Sequence, residues 1–150
     1  MKRLLLLAPL ALFLSFTLKL DKQPYILYNS KGNKATYEQL LAEAKKADIV
    51  LFGELHDNPI CHWLQKELTD DLYADKKDNL VLGAEMFEAD DQITLNEYLA
   101  GRISDKTLKE EAKLWNNFAT DYKPLLDIAK TNKLRFIACN ICLLYTSRCV

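Results

Sequence analysis

The sequence predicts an α/β fold: a mainly parallel sheet with flanking helices and a helical insertion, left incomplete by truncation at the carboxyl end. Three observations predict it. Apolar runs of strand length recur at Ile49 to Phe52, Leu80 to Leu82 and Leu134 to Cys139, and each gives way to polar residues. Stretches with helical apolar spacing and recognisable starts separate them. Strands alternating with helices imply crossover connections, and crossovers imply parallel pairing.

A leading strand is expected near Tyr25 to Tyr28. Thr36 with Gln39 three residues on makes a capping box, after which Tyr37, Leu40, Leu41 and Ala44 share one helical face. Ile49 to Phe52 then reads as a buried parallel strand, broken at Gly53 by a residue that permits a sharp turn or close backbone approach. Asn58 can cap a helix that starts at Pro59, whose missing donor costs nothing at the first helical position. Ile60, Trp63, Leu64, Leu68 and Leu72 form that helix's expected buried stripe. His62 falls opposite it, facing solvent or the mouth of a cleft, with solvent preferred.

The next strand runs through Leu80, Val81 and Leu82 to Gly83 and ends at the carboxylate of Glu85. A helical region follows from Ala89 to Tyr122, with breaks near Gly101 and Ser104 and a helix over Ala112 to Phe118. Trp115, Phe118 and Tyr122 lie at three- and four-residue spacings, which reads as core packing. Pro124 starts another helix with Leu125, Leu126 and Ala129 inside, and Thr131 to Lys133 turns into the last strand, which ends at Asn140.

Chemistry concentrates in IVLFGELHDNP, residues 49 to 59. A short apolar run delivers Glu54, His56 and Asp57 within five residues, at the strand-to-helix turn where open α/β folds place their sites. If the three strands are parallel neighbours, Glu54, His56, Glu85 and Asn140 converge at one edge, with Gly53, Asp57 and Asn58 lining the pocket. A histidine with two carboxylates can do general acid and base work, or can bind a divalent metal through His56 and Glu54. The plainer alternatives are loop residues that hydrogen-bond a helix start and, for Glu85, a carboxylate capping the following helix.

Lys2 and Arg3 followed by the apolar run Leu4 to Leu18 mark residues 1–20 as a signal peptide or an uncleaved signal anchor. The run is shorter than the roughly 20 apolar residues of a full span. No cysteine stands close behind it, so a lipid anchor on an amino-terminal cysteine is not expected. At the other end, Cys142 to Val150 can be encoded by a sequencing-adapter sequence, so the domain is expected to cover residues 24–141 and residues 142–150 to be foreign. Only Cys61 and Cys139 then count as native cysteines, each expected to pack as a small apolar side chain. Twenty basic and 21 acidic residues give a net charge of −1, and loss of Lys2, Arg3 and Lys19 with the leader leaves a mild acidic excess. The interspersed charges give no footprint for nucleic acid.

FGELHDNP, then LVLGAEMFE with acids and Gln92 behind it, EYLAG at Glu97 to Gly101, and W-x-x-F followed by Y-x-P-L-L between Trp115 and Leu126 together resemble the ChaN-like family. This is the haem-binding uptake branch of the Tiki and TraB superfamily, and the resemblance spans Tyr25 to Asn140. It implies an exported bacterial protein of the periplasm or cell envelope that takes haem as ligand. It also implies a role in haem or iron uptake, membrane-associated uptake components as partners, and a homodimer in the full-length protein. The wider superfamily includes metal-dependent proteases and erythromycin esterase-like hydrolases. These use a first G-x-x-H, a downstream glutamate and a second histidine motif. Gly53 and His56 match the first motif and Glu85 the glutamate, so the alternative is a metal-dependent hydrolase using Glu54, His56 and Glu85. The second motif has no counterpart, since no histidine follows His62. The resemblance carries no haem-ligand role onto Tyr122 or His62.

Overall fold

A computed structural model describes residues 23–141 of the chain. The signal peptide or signal anchor expected at 1–20 and the foreign stretch expected at 142–150 lie outside the described residues. The fold is a mixed α/β arrangement with one antiparallel and one parallel strand pair. Strand β1 (Leu27–Tyr28) pairs antiparallel with β2 (Lys34–Ala35), so the leading strand forms a small hairpin rather than joining a parallel sheet. Between them the Asn29 side chain accepts from the backbone of Lys31 and Asn33, each at 3.0 Å, and Gly32 supplies a φ of 77°.

Helix α1 (Tyr37–Lys46) starts with the expected capping box. The Thr36 hydroxyl accepts from Gln39 N, and the Gln39 side chain accepts from Thr36 N at 3.0 Å. Helix α2 (Pro59–Lys76) is capped by Asn58, whose Oδ1 accepts from Ile60 N and Cys61 N at 3.0 and 3.1 Å. Its buried stripe is rotated from the one expected. Leu64, Leu68 and Leu72 are inside, but so are His62 and Gln65, while Ile60 and Trp63 are exposed.

Strand β3 (Val81–Glu88) is longer than expected and carries Glu85 within it. It is followed by α3 (Gln92–Leu99) and α4 (Asp105–Glu111), separated at Gly101 in the left-handed region. The helix expected over Ala112 to Phe118 is replaced by irregular chain and a π-type turn at Phe118–Tyr122. Helix α5 (Lys123–Asn132) has Pro124 in its first turn and ends on a left-handed Lys133, and β4 (Arg135–Asn140) follows.

Strands β3 and β4 run parallel, Leu82 opposite Phe136 and Ala84 opposite Ala138. Their covered face meets α3, α4 and α5 in the main core. There Phe87 meets Phe118 and Phe136 edge to face at centroid separations of 6.1 and 5.5 Å, beside fully buried Leu95 and Leu126. The free edge of β4 is occupied by one side chain. Gln92 donates from Nε2 to Phe136 O at 2.9 Å and accepts at Oε1 from Ala138 N at 2.8 Å, as a neighbouring strand would. On the other face Val81, Gly83, Ile137 and Cys139 are exposed, so Cys139 is not the buried strand end expected. Gly83 permits a close approach there, because a Cβ at this position would lie 2.8 Å from Cys139 Sγ.

Residues 49 to 52 do not form the expected strand. Among the described residues they join neither sheet, and Ile49 and Leu51 are 77% and 91% exposed. Phe52 alone packs inward, against the small cluster of Ala44, Leu68 and Leu72. Apolar composition favours burial, but a strand forms only where a neighbour completes its hydrogen bonds.

Phe87→Ala should remove the central ring of the main core and lower stability by about 3–5 kcal/mol. Urea unfolding followed by circular dichroism measures this, and a loss below about 1 kcal/mol would show that the three-phenylalanine contact is not the core's anchor.

Candidate functional site

The turn that follows Phe52 closes at Leu55–Asn58, where Asn58 N donates to Leu55 O at 2.9 Å. Gly53 does not make this turn. Its φ is not positive and space around its Cα is open, its contact being a long one from Cys61 Sγ to its carbonyl. The turn instead points the Glu54 side chain inward, where it is only 7% exposed.

A carboxylate taken out of water must recover its hydrogen bonds from the protein, and Glu54 does so on both oxygens. Oε1 accepts from His56 Nδ1 at 2.9 Å and from the Tyr122 hydroxyl at 2.7 Å; Oε2 accepts from Gln65 Nε2 at 2.6 Å. His62 Nδ1 stands 3.5 Å from Oε2. Burial pushes the carboxyl's pKa up, but the bonds from His56, Tyr122 and Gln65 and the charge of His62 outweigh it, leaving Glu54 below its ordinary value. Tyr122 shifts the opposite way. Burial, with the carboxylate that its hydroxyl serves, raises it well above the usual phenol range, so its proton stays on the phenol.

His62 is a second centre of the cluster, 5% exposed rather than facing solvent. Its Nε2 meets His56 O at 3.1 Å and Asp121 Oδ2 at 3.8 Å, while Nδ1 meets Gln65 Oε1 at 3.4 Å as well as Glu54. All four are acceptors that face the ring nitrogens. Asn117 completes the network, donating from Nδ2 to His56 O at 2.7 Å and to Asp121 Oδ2 at 2.8 Å. Trp115 stands edge-on to His56 at 4.8 Å and to Tyr122 at 5.8 Å, and His62 stands edge-on to Tyr122 at 4.9 Å.

Of the residues singled out from sequence, the structure brings Glu54 and His56 together and sets Asn58 beneath them as the helix cap. Asp57 is exposed on the turn. Glu85 is exposed on β3 and takes no part in the hydrogen bonds around Glu54; Asn140 ends β4 opposite Glu88. The residues that complete the cluster are His62, Gln65, Trp115, Asn117, Asp121 and Tyr122. Two signals could have found them: the three-residue spacing of His62 and Gln65, and the polar pair Asn117 and Asp121 among aromatics.

Among the described residues no group of three or more His, Cys, Asp or Glu side chains is placed to hold a metal ion, so His56 and Glu54 gain no third ligand. Haem asks for less: one axial donor with a free lone pair and apolar surroundings for the macrocycle. The His56 side chain is 54% exposed, with Nδ1 engaged and no hydrogen bond at Nε2 among the described residues. Leu55, next to it in the turn, is 68% exposed, and Trp115 flanks the ring. An imidazole nitrogen with an aromatic and an aliphatic neighbour is donor chemistry of the kind haem uses.

The model of a family described as haem-binding uptake, Tiki superfamily, ChaN, matches residues 40–149, a span that holds the whole cluster and continues past Ile141. No curated protein and no solved structure matches the chain.

Glu54 sits below its ordinary value of 4.5, so the stability it contributes is present above that pH and is lost as pH falls through its lowered value in the folded protein. Tyr122→Phe removes one of the bonds that lowers it. The variant should lose about 1.5–3 kcal/mol at neutral pH, the usual size of a hydrogen bond to a charged group. Its acid unfolding midpoint should also move to higher pH, measured by circular dichroism against pH. An unchanged midpoint would show that the phenol does not set the carboxylate's ionisation.

Proposed function

The chain belongs to the haem-binding uptake family, ChaN, of the Tiki superfamily, and we propose that it is an exported haem-binding protein that works in haem or iron uptake. The observation that carries the reading is the half-exposed imidazole of His56, set over a buried polar cluster and flanked by Trp115 and the apolar Leu55. Haem, when bound, supplies an iron centre with open axial positions and a broad apolar face. His56, Trp115 and Leu55 are the residues that would hold it at this rim. The buried network of Glu54, Gln65, His62 and Tyr122 keeps the turn that carries them in one arrangement.

Export is supported by Lys2 and Arg3 ahead of the apolar run Leu4 to Leu18. Among the described residues no helix is long and apolar enough to cross a membrane. The geometry favours hydrolysis less, because both Glu54 oxygens are engaged and Glu85 stands outside the cluster.

Titration of the full chain with haemin should give a saturable Soret change at one haem per chain. Leu55→Glu should weaken it about tenfold or more, since it replaces a large apolar contact by a charge at an exposed position that folding does not need. A non-saturating, unshifted Soret band in the unaltered chain would sink the haem reading; full affinity in the variant would move the site elsewhere.

A further inference from the structure

The β1–β2 hairpin contributes nothing to the hydrogen bonds around Glu54, yet its outward face carries side chains that gain nothing from water. The register sets Tyr28 opposite Lys34, so the two share a face, and the alternation of half-buried and exposed residues through Tyr25, Ile26, Leu27 and Tyr28 puts Ile26 there too. Ile26 and Tyr28 are 60% and 59% exposed. On the inward side Tyr25 stacks against Trp63 of α2 at a centroid separation of 5.9 Å. Trp63 is itself exposed, as is Ile60 three residues before it on the same side of the helix, so apolar surface runs from the hairpin onto the start of α2. Charge follows the same line. From Lys22 to Thr36 the sequence holds three lysines and no acid, in a chain whose acids otherwise match its bases, and Lys31 and Lys34 are exposed.

We infer that this face docks on an anionic lipid bilayer. Ile26 and Ile60 enter the boundary of the acyl chains, Tyr28 and Trp63 lie at headgroup level, and Lys31 and Lys34 meet the lipid phosphates. Aromatic rings with an apolar body and a polar edge prefer that depth, and lysines close to a membrane segment are drawn to anionic headgroups. The position of the hairpin in the chain points to the same occupant. The apolar run Leu4 to Leu18 ends seven residues before Tyr25, which is at most about 25 Å of extended chain, so a leader that enters a bilayer delivers the hairpin to its surface. The run is short for a full span, and a second, weaker contact tethered beside it makes attachment firm where either signal alone leaves it reversible. The inference goes beyond haem binding and uses none of the residues around Glu54, so the two readings can fail separately.

The test uses the full chain reconstituted into vesicles of phosphatidylcholine, with or without phosphatidylglycerol, whose brominated acyl chains quench tryptophan fluorescence. Ile26→Trp puts a reporter on the outward face of the hairpin. Ile93→Trp puts one at a residue of α3 that is 74% exposed, on a helix packed against β4 and α5. In vesicles with phosphatidylglycerol, Ile26→Trp should add an emission component that is blue-shifted and quenched by the brominated chains, and Ile93→Trp one that is neither. Adding Lys31→Glu and Lys34→Glu to the first variant should lower the ratio of docked to undocked protein about tenfold or more, and high salt should lower it too. All four positions are exposed, and far-ultraviolet circular dichroism checks that each variant is folded.

Equal quenching of the two reporters would show that the leader only tethers the domain, and would overturn the inference. Quenching of Ile26→Trp that is as strong in phosphatidylcholine alone and unmoved by the lysine reversals would overturn the part given to anionic headgroups. A blue shift in Ile26→Trp without quenching, growing with the density of protein in the vesicles, would assign the face to a second copy of the chain and overturn docking on lipid.

Discussion

The buried carboxylate of Glu54 is the constraint on which the rest of this arrangement depends. Desolvating it costs more free energy than any single contact returns, so every neighbouring element must present a donor. The turn presents His56, α2 presents Gln65, and the π-type turn ahead of α5 presents Tyr122, which lies 68 residues further along the chain. Three separate pieces of backbone are thereby held to one group. The irregularity at Phe118–Tyr122 follows from the same demand. A regular helix there would fix Phe118 and Tyr122 on one face, whereas the wider turn lets Phe118 enter the phenylalanine core while Tyr122 reaches Glu54.

The sheet is organised by a different rule, the need to complete backbone hydrogen bonds. On β4 a glutamine side chain does the work of a strand, its amide matching the Phe136 carbonyl and the Ala138 amide. This ties α3 to the sheet and blunts an edge that would otherwise be a template for further pairing. The opposite face of the sheet, with Val81 and Ile137, stays open, and Ile49 and Leu51 are open too. The Glu54 cluster is built instead from the turn, α2 and the Phe118–Tyr122 segment.

What was legible in the sequence was local. Thr36 with Gln39, Asn58 before Pro59, and Pro124 each satisfy or avoid donors within a few residues, so their roles can be read without knowing the fold. The fold class was legible because alternating patterns constrain topology. The strand at Ile49 to Phe52 was not, since its composition says it would be stable if paired but cannot say that a partner stands beside it. The buried face of α2 differs from the one its apolar spacing predicts for a related reason. Periodicity weighs Ile60 and Trp63 as natural core, yet a buried carboxylate makes His62 and Gln65 the residues that must go inside. The spacing of Trp115 and Tyr122 predicts packing, and they do pack, but the hydroxyl of Tyr122 has a polar destination that only a contact across the chain reveals.

The two histidines show how one network can produce opposite environments. His62 is surrounded by acceptors and is drawn inside, where its Nε2 helps hold the carbonyl of His56. His56 is thereby fixed at both ends, its carbonyl by His62 and Asn117 and its Nδ1 by Glu54, while its remaining nitrogen faces outward. A flexible exposed imidazole would lose conformational entropy on taking a ligand. Here the ring is already held during folding, and the buried polar groups that look costly in isolation are what make a surface imidazole stiff.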